Sequence, residues 1–246
     1  MIQFANPLFA KADGPPPVIG PIDPVTLFAG GIAGGYWDFT TASTLAVNAD
    51  GSGGVPAVGA EFRSASDLGP NGHRLRNTVD SVTRLANGML VHASYGLFNL
   101  PSSYGAALGD WSTISAPFEI VACMAQQSYD VLYSRLMCDY GGPVGLLQGS
   151  AAGTAVVYAG AVSGDIALPM TTEAVVRIRV TSQSVQMIIN NGAAIDTGVS
   201  AISWEGLLIG PNSDPTPAQV RFKRLLFLGR SLTNAEASGV HAWMSA

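Results

Sequence analysis

The stretch "VVRIRVTSQSVQMIINNGAAIDTG" at residues 175–198 decides the fold class. Val176, Ile178 and Val180 alternate with two arginines, which is the period of a β-strand with one apolar face and one polar face. A second apolar alternation follows and reaches Asn191-Gly192, a pair that accepts the positive φ angles of a type I′ turn. The stretch therefore predicts a β-hairpin, and its two arginines are expected to point outward.

Short apolar runs alternate with turn signals along the rest of the chain, and helical periodicity is almost absent until the end. Asn87-Gly88 lies between two such runs and predicts a second hairpin. The runs "FEIVACMA" (118–125) and "YDVLYSRLMC" (129–138) predict further strands. This is the pattern of an all-β protein.

One helix is predicted, at the C-terminal end of the sequence. Thr233 has the position of an N-cap residue, and Glu236, three residues later, completes a capping box. Apolar residues follow at helical spacing from Ala237. We therefore expect this helix to pack one face on the β-body and to close the fold.

Composition limits the classes of function. The chain has 246 residues, 48% of them apolar, which is enough for a continuous core. Only 12% of the residues are charged and the formal net charge is −5. Lys11 and Lys223 are the two lysines, so few cations are available for a phosphate backbone and nucleic-acid binding is not expected.

Two further patterns bear on location. Residues 140–164 carry no charge, but Gly, Ser, Thr, Gln and Pro interrupt them, so we expect strands and turns there and no membrane insertion. The N-terminus lacks a basic segment followed by an apolar core, so no signal peptide is predicted and synthesis in the cytoplasm is expected. Cys123 and Cys138 lie in apolar stretches, where buried free thiols are expected and a disulfide is the alternative.

The N-terminal segment differs in composition from the body. Six of the 15 prolines fall within the first 24 residues, and such a segment forms neither a helix nor a paired strand. We interpret residues 1–26 as an extended anchoring arm and residues 27–246 as the body, with a loose terminal tail as the alternative. At about 3.1 Å per residue the first 24 residues reach roughly 75 Å. The anchoring residues of this arm are predicted to be Ile2, Phe4, Leu8, Phe9, Pro15, Pro16 and Pro17.

The stretch "LFAGGIAGGYWDFTTASTL" (27–45) stands where arm and body meet. It lacks the Gly-Lys-Ser/Thr ending of a phosphate-binding loop, and no βαβ pattern surrounds it. Its glycines are better explained by tight bends and close backbone approach. Tyr36 and Trp37 are then packing anchors, and Asp38 is predicted to cap the "TTASTL" turn.

The order of these features resembles the concanavalin A-like, or laminin-G-like, jelly-roll domains of tailed-phage and prophage virion structural proteins. The resemblance spans roughly residues 27–246 and rests on four segments in order: "GGYWDFTTASTL", "AVGAEFRSASDLGPNGHRLRN", "QMIINNGAAIDTG" and the closing "LLIGPNSDPTPAQVRFKRLLFLGRSLTNAEASGVHAWMSA". It implies a β-sandwich of that type. The fold itself hosts lectins, glycoside hydrolases and structural modules, so the site must decide the function.

Catalysis of glycoside hydrolysis needs two carboxyl groups about 5–5.5 Å apart in a retaining enzyme. The acidic residues of this chain are never closer than six positions, so no local pair exists, although a cross-strand pair such as Glu119 with Asp139 remains open. No nucleophile elbow is visible either. We conclude from the sequence that the chain is not an enzyme and keep glycoside hydrolysis as the third hypothesis.

Metal and cofactor signals are weak. The three histidines lie far apart, without zinc-ligand spacing. Asn48, Asp50 and Ser52 alternate in "VNADGSGG", as oxygen ligands do in calcium loops. One carboxylate, however, is few for a cation that takes about six or more oxygen ligands. A turn built on Asp50-Gly51 is the simpler interpretation. We expect no cofactor, with calcium at these three residues as the alternative.

Sugar binding would use exposed aromatic side chains. Tyr104 and Trp111 lie in "LPSSYGAALGDWS", which we interpret as a loop that exposes them, although core or interface burial is the usual fate of aromatic residues. These two residues are the predicted glycan-binding positions.

The leading hypothesis is a non-enzymatic virion structural or accessory protein, a decoration, head-spike or tail-associated component anchored by its arm. Its expected partners are capsid, spike or tail subunits, and the low-charge body is expected to form a symmetric homo-oligomer. The alternative is a lectin module that binds host-surface polysaccharide or a receptor. Both place the protein on the virion.

Overall fold

The computed structural model describes residues 20–77, 82–92, 98–101, 109–111, 113–129, 134–139, 144–199, 203–209 and 219–246, with the backbone alone for 98–101 and 109–111. The predicted arm anchors at residues 2–17 and Tyr104 lie outside the described residues. Trp111 lies in a described strand, but its side chain is not among the described ones.

The first large sheet, sheet A, has eight strands. Its spatial order is β17-β16-β15-β10-β20-β6-β5, and β1 also pairs with β20. The bounds are β1 Gly34–Asp38, β5 Val82–Leu85, β6 Gly88–Val91, β10 Phe118–Gln126, β15 Ala174–Val180, β16 Val185–Ile189, β17 Ile195–Asp196 and β20 Val220–Leu228.

The second large sheet, sheet B, has ten strands. Its order is β14-β13-β12-β11-β19-β7-β4-β3-β2, and β8 pairs with β7. The bounds are β2 Leu45–Ala46, β3 Ser64–Ser66, β4 Arg74–Arg76, β7 Phe98–Pro101, β8 Gly109–Trp111, β11 Arg135–Cys138, β12 Val144–Gln148, β13 Thr154–Ala159, β14 Ile166–Ala167 and β19 Leu207–Ile209.

The remaining elements are short or terminal. Strands β9 (Ile114–Ser115) and β18 (Ser203–Trp204) form a separate pair, and 3-10 turns span Pro24–Phe28 and Ala42–Thr44. Helix α1 spans Asn234–Ser245. The all-β jelly-roll sandwich with a C-terminal helix is therefore confirmed.

The core lies between the two sheets. On β15, Val176, Ile178 and Val180 face it and are at most 1% exposed, as the alternation predicts. Trp204 meets Phe118 edge to face, with ring centroids 6.1 Å apart. Each such fully buried side chain contributes about 1.5–3 kcal/mol through removal of apolar surface from water.

The outer face of sheet A is covered by α1. Ala237 and Val240 of the helix pack with Tyr36 and Leu226 in a second apolar layer. The prediction that the arginines of β15 point outward is therefore incomplete. Both leave the core face. Arg177 lies beside Ala237 and His241 of the helix and is only 9% exposed, whereas the side chain of Arg179 is 24% exposed and pairs with Glu119.

The predicted hairpin after β15 is present, but its turn lies one residue earlier. The N–H of Gly192 donates to the carbonyl of Ile189 at 2.9 Å, and the positive φ angles belong to Asn190 and Asn191. Asparagine tolerates this left-handed backbone. The Asn190 side chain also accepts from the N–H of Val175 at 2.9 Å, which holds it at that position.

The predicted capping box of α1 is confirmed. The N–H of Glu236 donates to Thr233 Oγ1 at 3.2 Å, and the N–H of Thr233 donates to Glu236 Oε2 at 2.8 Å. Arg230 donates to both oxygens of the same carboxylate, at 2.7 and 2.9 Å. These hydrogen bonds, that with Arg230 above all, lower the pKa of Glu236 to about 2. The Glu236 carboxylate of the capping box therefore stays ionised at neutral and at mildly acidic pH.

The edges of the sheets are short. Strands β14 and β2 end sheet B and β17 ends one side of sheet A, and each has two residues. Among the described residues, no helix is long and apolar enough to cross a membrane. Cys123 and Cys138 are free and buried, as expected, and lie on different sheets.

Candidate functional site

A groove lies on the outer face of sheet B, the face turned away from the core. Tyr158 of β13, Gly145 of β12 and Cys138 of β11 are direct cross-strand partners and form one row across this face. The next row pairs Arg135 with Leu147. The groove encloses a cavity of about 240 Å³, and Val144 and Val162 complete its described lining. This volume suits one small ring of a larger ligand.

A β-bulge in β11 builds this face. The register shifts between Arg135 and Met137, so that Leu136 and Met137 both enter the core. As a result Arg135 and Cys138 point to the same outer face, which regular alternation forbids for residues three apart. The groove depends on this irregularity.

The floor of the groove is apolar and uncharged. Leu147 and Cys138 are 7% and 2% exposed. Burial raises the pKa of the Cys138 thiol to about 12, so the thiol is neutral at physiological pH. A Cβ atom on Gly145 would lie 2.8 Å from the Cβ of Cys138. The absence of a side chain at this position therefore keeps the floor open.

Two half-buried side chains give the groove its chemistry. Tyr158 offers an aromatic face and a phenolic hydroxyl. Arg135 offers a planar guanidinium, which lies close enough to Cys138 to oppose the rise in the pKa of its thiol. An aromatic ring, a fork of donors and an apolar floor together can bind a small polar ring with one apolar face.

A second charged cluster lies on the opposite side of the sandwich. Glu119 of β10 is fully buried, and its carboxylate lies 3.2 Å from Arg177 Nε and 3.0 Å from Arg179 Nε. The N–H of Leu232 also donates to it at 3.1 Å. Burial raises the pKa of Glu119, and the two guanidiniums oppose that shift. Because α1 covers this cluster, we interpret it as structural.

The pair of Glu119 with Asp139, considered from the sequence as a cross-strand acid pair, is wrong. Glu119 lies on the outer face of sheet A, and Asp139 follows β11 in sheet B. The two sheets of a sandwich are about 10 Å apart, so these acids cannot act on one bond.

The predicted calcium residues come together in one turn. The Asn48 amide donates to Ser52 Oγ at 2.9 Å, and the N–H of Ser52 donates to the Asp50 carboxylate at 2.8 Å. Hydrogen bonds from the Ser52 hydroxyl and from the Ser52 N–H lower the pKa of Asp50, and the bonds within this turn account for it without a cation. Among the described residues no group of three or more His, Cys, Asp or Glu could hold a metal ion. Calcium binding stays a prediction.

The predicted sugar-binding aromatics also stay a prediction. Tyr104 and the side chain of Trp111 fall outside the described part of the structure. Sequence reasoning missed Arg135 and Tyr158, which the structure places around one cavity. Tyr158 carried a weak signal, because it alternates with buried residues in "TAVVYA". Arg135 carried none, because the bulge breaks the alternation there.

Comparisons with known proteins identify the fold. No family model matches the sequence, and no curated protein is similar to it at the sequence level. Among solved structures, Trypanosoma rangeli sialidase in complex with sialic acid matches 92% of this chain and 35% of its own, with 14% identity and a TM-score of 0.58. The chain thus spans about a third of the sialidase. At this identity the likeness shows the fold, a lectin-like β-sandwich.

Two other solved structures are less similar. The alginate lyase from a Corynebacterium species matches 61% of this chain and 82% of its own, with 14% identity and a TM-score of 0.45. A carbohydrate-binding module from Bacillus subtilis matches 58% of this chain and 87% of its own, with 12% identity and a TM-score of 0.38. Both likenesses are partial.

The sialidase likeness corrects the conclusion that the chain is not an enzyme. Structures that share this fold over most of the chain come from enzymes, so the lack of a local carboxylate pair does not set the chain apart from catalytic proteins. Spacing along the sequence detects only pairs of acids that are close in sequence, whereas a sandwich brings together residues from distant strands and loops. The conclusion drawn from the sequence is wrong.

Proposed function

We propose that this chain is a carbohydrate-binding β-sandwich module that holds a sugar ring in the groove on sheet B. The observation that carries the proposal is the placement of Tyr158 and Arg135 around one open, apolar-floored cavity. The lectin-like fold supports it, because sandwiches of this type host lectins among other proteins.

The chemistry of the groove matches a sugar ring. A pyranose has an apolar face of C–H groups and a rim of hydroxyls, so it needs an aromatic surface and a few polar groups. Tyr158 supplies the surface, and Arg135 and the phenol supply hydrogen bonds. The neutral thiol of Cys138 and the Leu147 side chain add contact without charge.

Replacing Tyr158 with alanine is expected to weaken saccharide binding at least about tenfold, which corresponds to roughly 1.4 kcal/mol. The loss is expected because the stacking surface disappears while the backbone of β13 stays paired on both sides. The measurement is a screen of neutral and acidic oligosaccharides followed by calorimetric titration of those that bind.

Tyr158→Phe is the matched variant, since it keeps the ring and is expected to lose much less affinity. A Tyr129→Phe variant, which removes a hydroxyl that donates to the carbonyl of Gly149, serves as the control outside the groove. The proposal fails if no saccharide binds, or if Tyr158→Ala binds as tightly as the parent chain.

We also propose a setting for this module, a virus particle on which residues 1–26 act as the anchor and the body forms a homo-oligomer. The proline-rich composition of the first 24 residues supports it. So does the geometry, because Ile22 and the Pro24–Phe28 turn pack beside α1 on the outer face of sheet A. An anchor that leaves from there turns the groove on sheet B away from the particle.

Deletion of residues 1–19 is expected to abolish incorporation into particles and to leave a folded body. The cut spares Ile22, whose N–H donates to the carbonyl of Gly239 at 3.2 Å. The measurement is the content of this chain in purified particles, with circular dichroism of the isolated truncated chain as the folding control. Incorporation at the parent level would contradict the anchoring role.

A further inference from the structure

Arg135 stands apart from the other arginines of the chain. Five of them form ion pairs with carboxylates, and these are Arg177, Arg179, Arg221, Arg224 and Arg230. Arg74 and Arg84 donate to the backbone carbonyls of Asp50 and Pro56, and Arg63 and Arg76 also have partners. Among the described residues, Arg135 forms no ion pair, and it lines the groove beside the neutral thiol of Cys138.

We propose that the groove selects anionic saccharides, whose carboxylate or sulfate group binds the guanidinium of Arg135 while the sugar ring stacks on Tyr158. This inference rests on the proposed function and deepens it, because it names the class of sugar. It predicts discrimination between charged and neutral forms of one saccharide, which a groove that recognises only hydroxyls would not show.

The placement of Arg135 favours an anion. Its side chain is half-buried at the wall of a cavity whose floor is apolar, and a charge-assisted hydrogen bond is stronger where water is partly excluded. The planar guanidinium fork matches the two oxygens of a carboxylate or sulfate. The other arginines have partners, so a guanidinium that has no carboxylate partner in the described part of the chain is best satisfied by a ligand.

The described lining of the groove contains no carboxylate that would repel an anion. Asp139 follows the groove residue Cys138 directly in sequence, but it is fully buried, and its Oδ1 lies 3.5 Å from the N–H of Val144, which donates to it. Arg135 is therefore the charged group that faces a ligand in the described part of this cavity.

The spacing also suits one sugar with a charged substituent. Tyr158 and Arg135 lie on β13 and β11, with β12 between them, and in adjacent rows. Two strand spacings of about 4.8 Å and an offset of about 6.7 Å along the strands therefore separate their backbones. Both side chains line the same cavity, with Gly145 and Leu147 of β12 between them. A ring placed on the phenol then has its substituent near the guanidinium.

The test is a titration of the full chain with paired saccharides. One arm compares uronic-acid oligosaccharides with their methyl esters, and the other compares sulfated oligosaccharides with their desulfated forms. We expect at least one charged form to bind at least tenfold more tightly than its neutral counterpart. A preference in the first arm identifies a carboxylate as the bound group, and a preference in the second arm identifies a sulfate. Raising the salt concentration is expected to reduce that preference.

Variants separate this inference from the proposed function. Arg135→Ala is expected to abolish the preference for the charged form, Arg135→Lys to retain part of it, and Lys223→Ala, which removes a cation from sheet A, to leave it unchanged. The inference is overturned if no charged saccharide in either arm binds better than its neutral form, or if Arg135→Ala keeps the preference. The proposed function would still stand in that case if neutral saccharides bind the parent chain and Tyr158→Ala removes that binding.

Discussion

Glu119→Ala is expected to lower the free energy of unfolding by about 3–5 kcal/mol, the range for breaking a buried ion pair by removing one partner. The carboxylate is fully buried between Arg177 and Arg179 and also accepts from the N–H of Leu232. Its removal leaves Arg177 beneath α1 without its counter-ion. The hydrogen bond that fixes the segment entering the helix disappears as well.

Urea unfolding followed by fluorescence and circular dichroism measures this loss. Glu173→Ala is the matched control, because Glu173 pairs with Arg221 near the surface, where both side chains are more than a fifth exposed and such a pair contributes about 0–1 kcal/mol. A double replacement of Glu119 and Arg177 by leucine is expected to cost less than Glu119→Ala alone. A loss below about 1 kcal/mol for Glu119→Ala would contradict the buried-pair assignment.

Gly34→Ala is expected to destabilise the protein by about 3 kcal/mol or more, through overpacking and backbone strain together. Gly34 begins β1 with a φ of +120°, and a Cβ atom there would lie 2.1 Å from the carbonyl oxygen of Phe227. That oxygen belongs to β20, the strand that pairs with β1. The substitution must therefore separate the two strands.

Gly30→Ala is the matched control for this prediction. Gly30 lies in the same glycine-rich stretch and also has a positive φ, +81°, but nothing lies within 4 Å of an added Cβ. Its cost is expected to be about 1 kcal/mol, since only the backbone conformation is penalised. Thermal unfolding of the two variants separates strain from collision, and equal losses would rule out the collision with β20.

The fold was accessible from the sequence because its signals are local. Alternation in "VVRIRV", the turn asparagines and the Thr233 cap each report on the few residues around them. The same reasoning placed the turn one residue late, because Asn190 is held in the left-handed region by a side-chain bond to Val175, a contact between two strands.

The groove was not accessible, because it depends on one bulge and on pairings between distant segments. Regular alternation would place Arg135 with Met137 and put Cys138 on the opposite face, whereas the shifted register brings Arg135 and Cys138 together. Tyr104 and Trp111 were predicted instead, because they are aromatic residues in an apparent loop. The acids suffered the same limitation, since the partners of Glu119 lie 58 and 60 positions away in sequence.

The two-residue strands at the margins of the sheets have a consequence for copies of this protein held close together. An unpaired strand edge of ordinary length offers a row of backbone donors and acceptors to the next molecule and can seed fibrous aggregates. Strands β2, β14 and β17 offer only two residues each. Copies of this protein that are held close together are therefore expected to have little tendency to fuse through these margins.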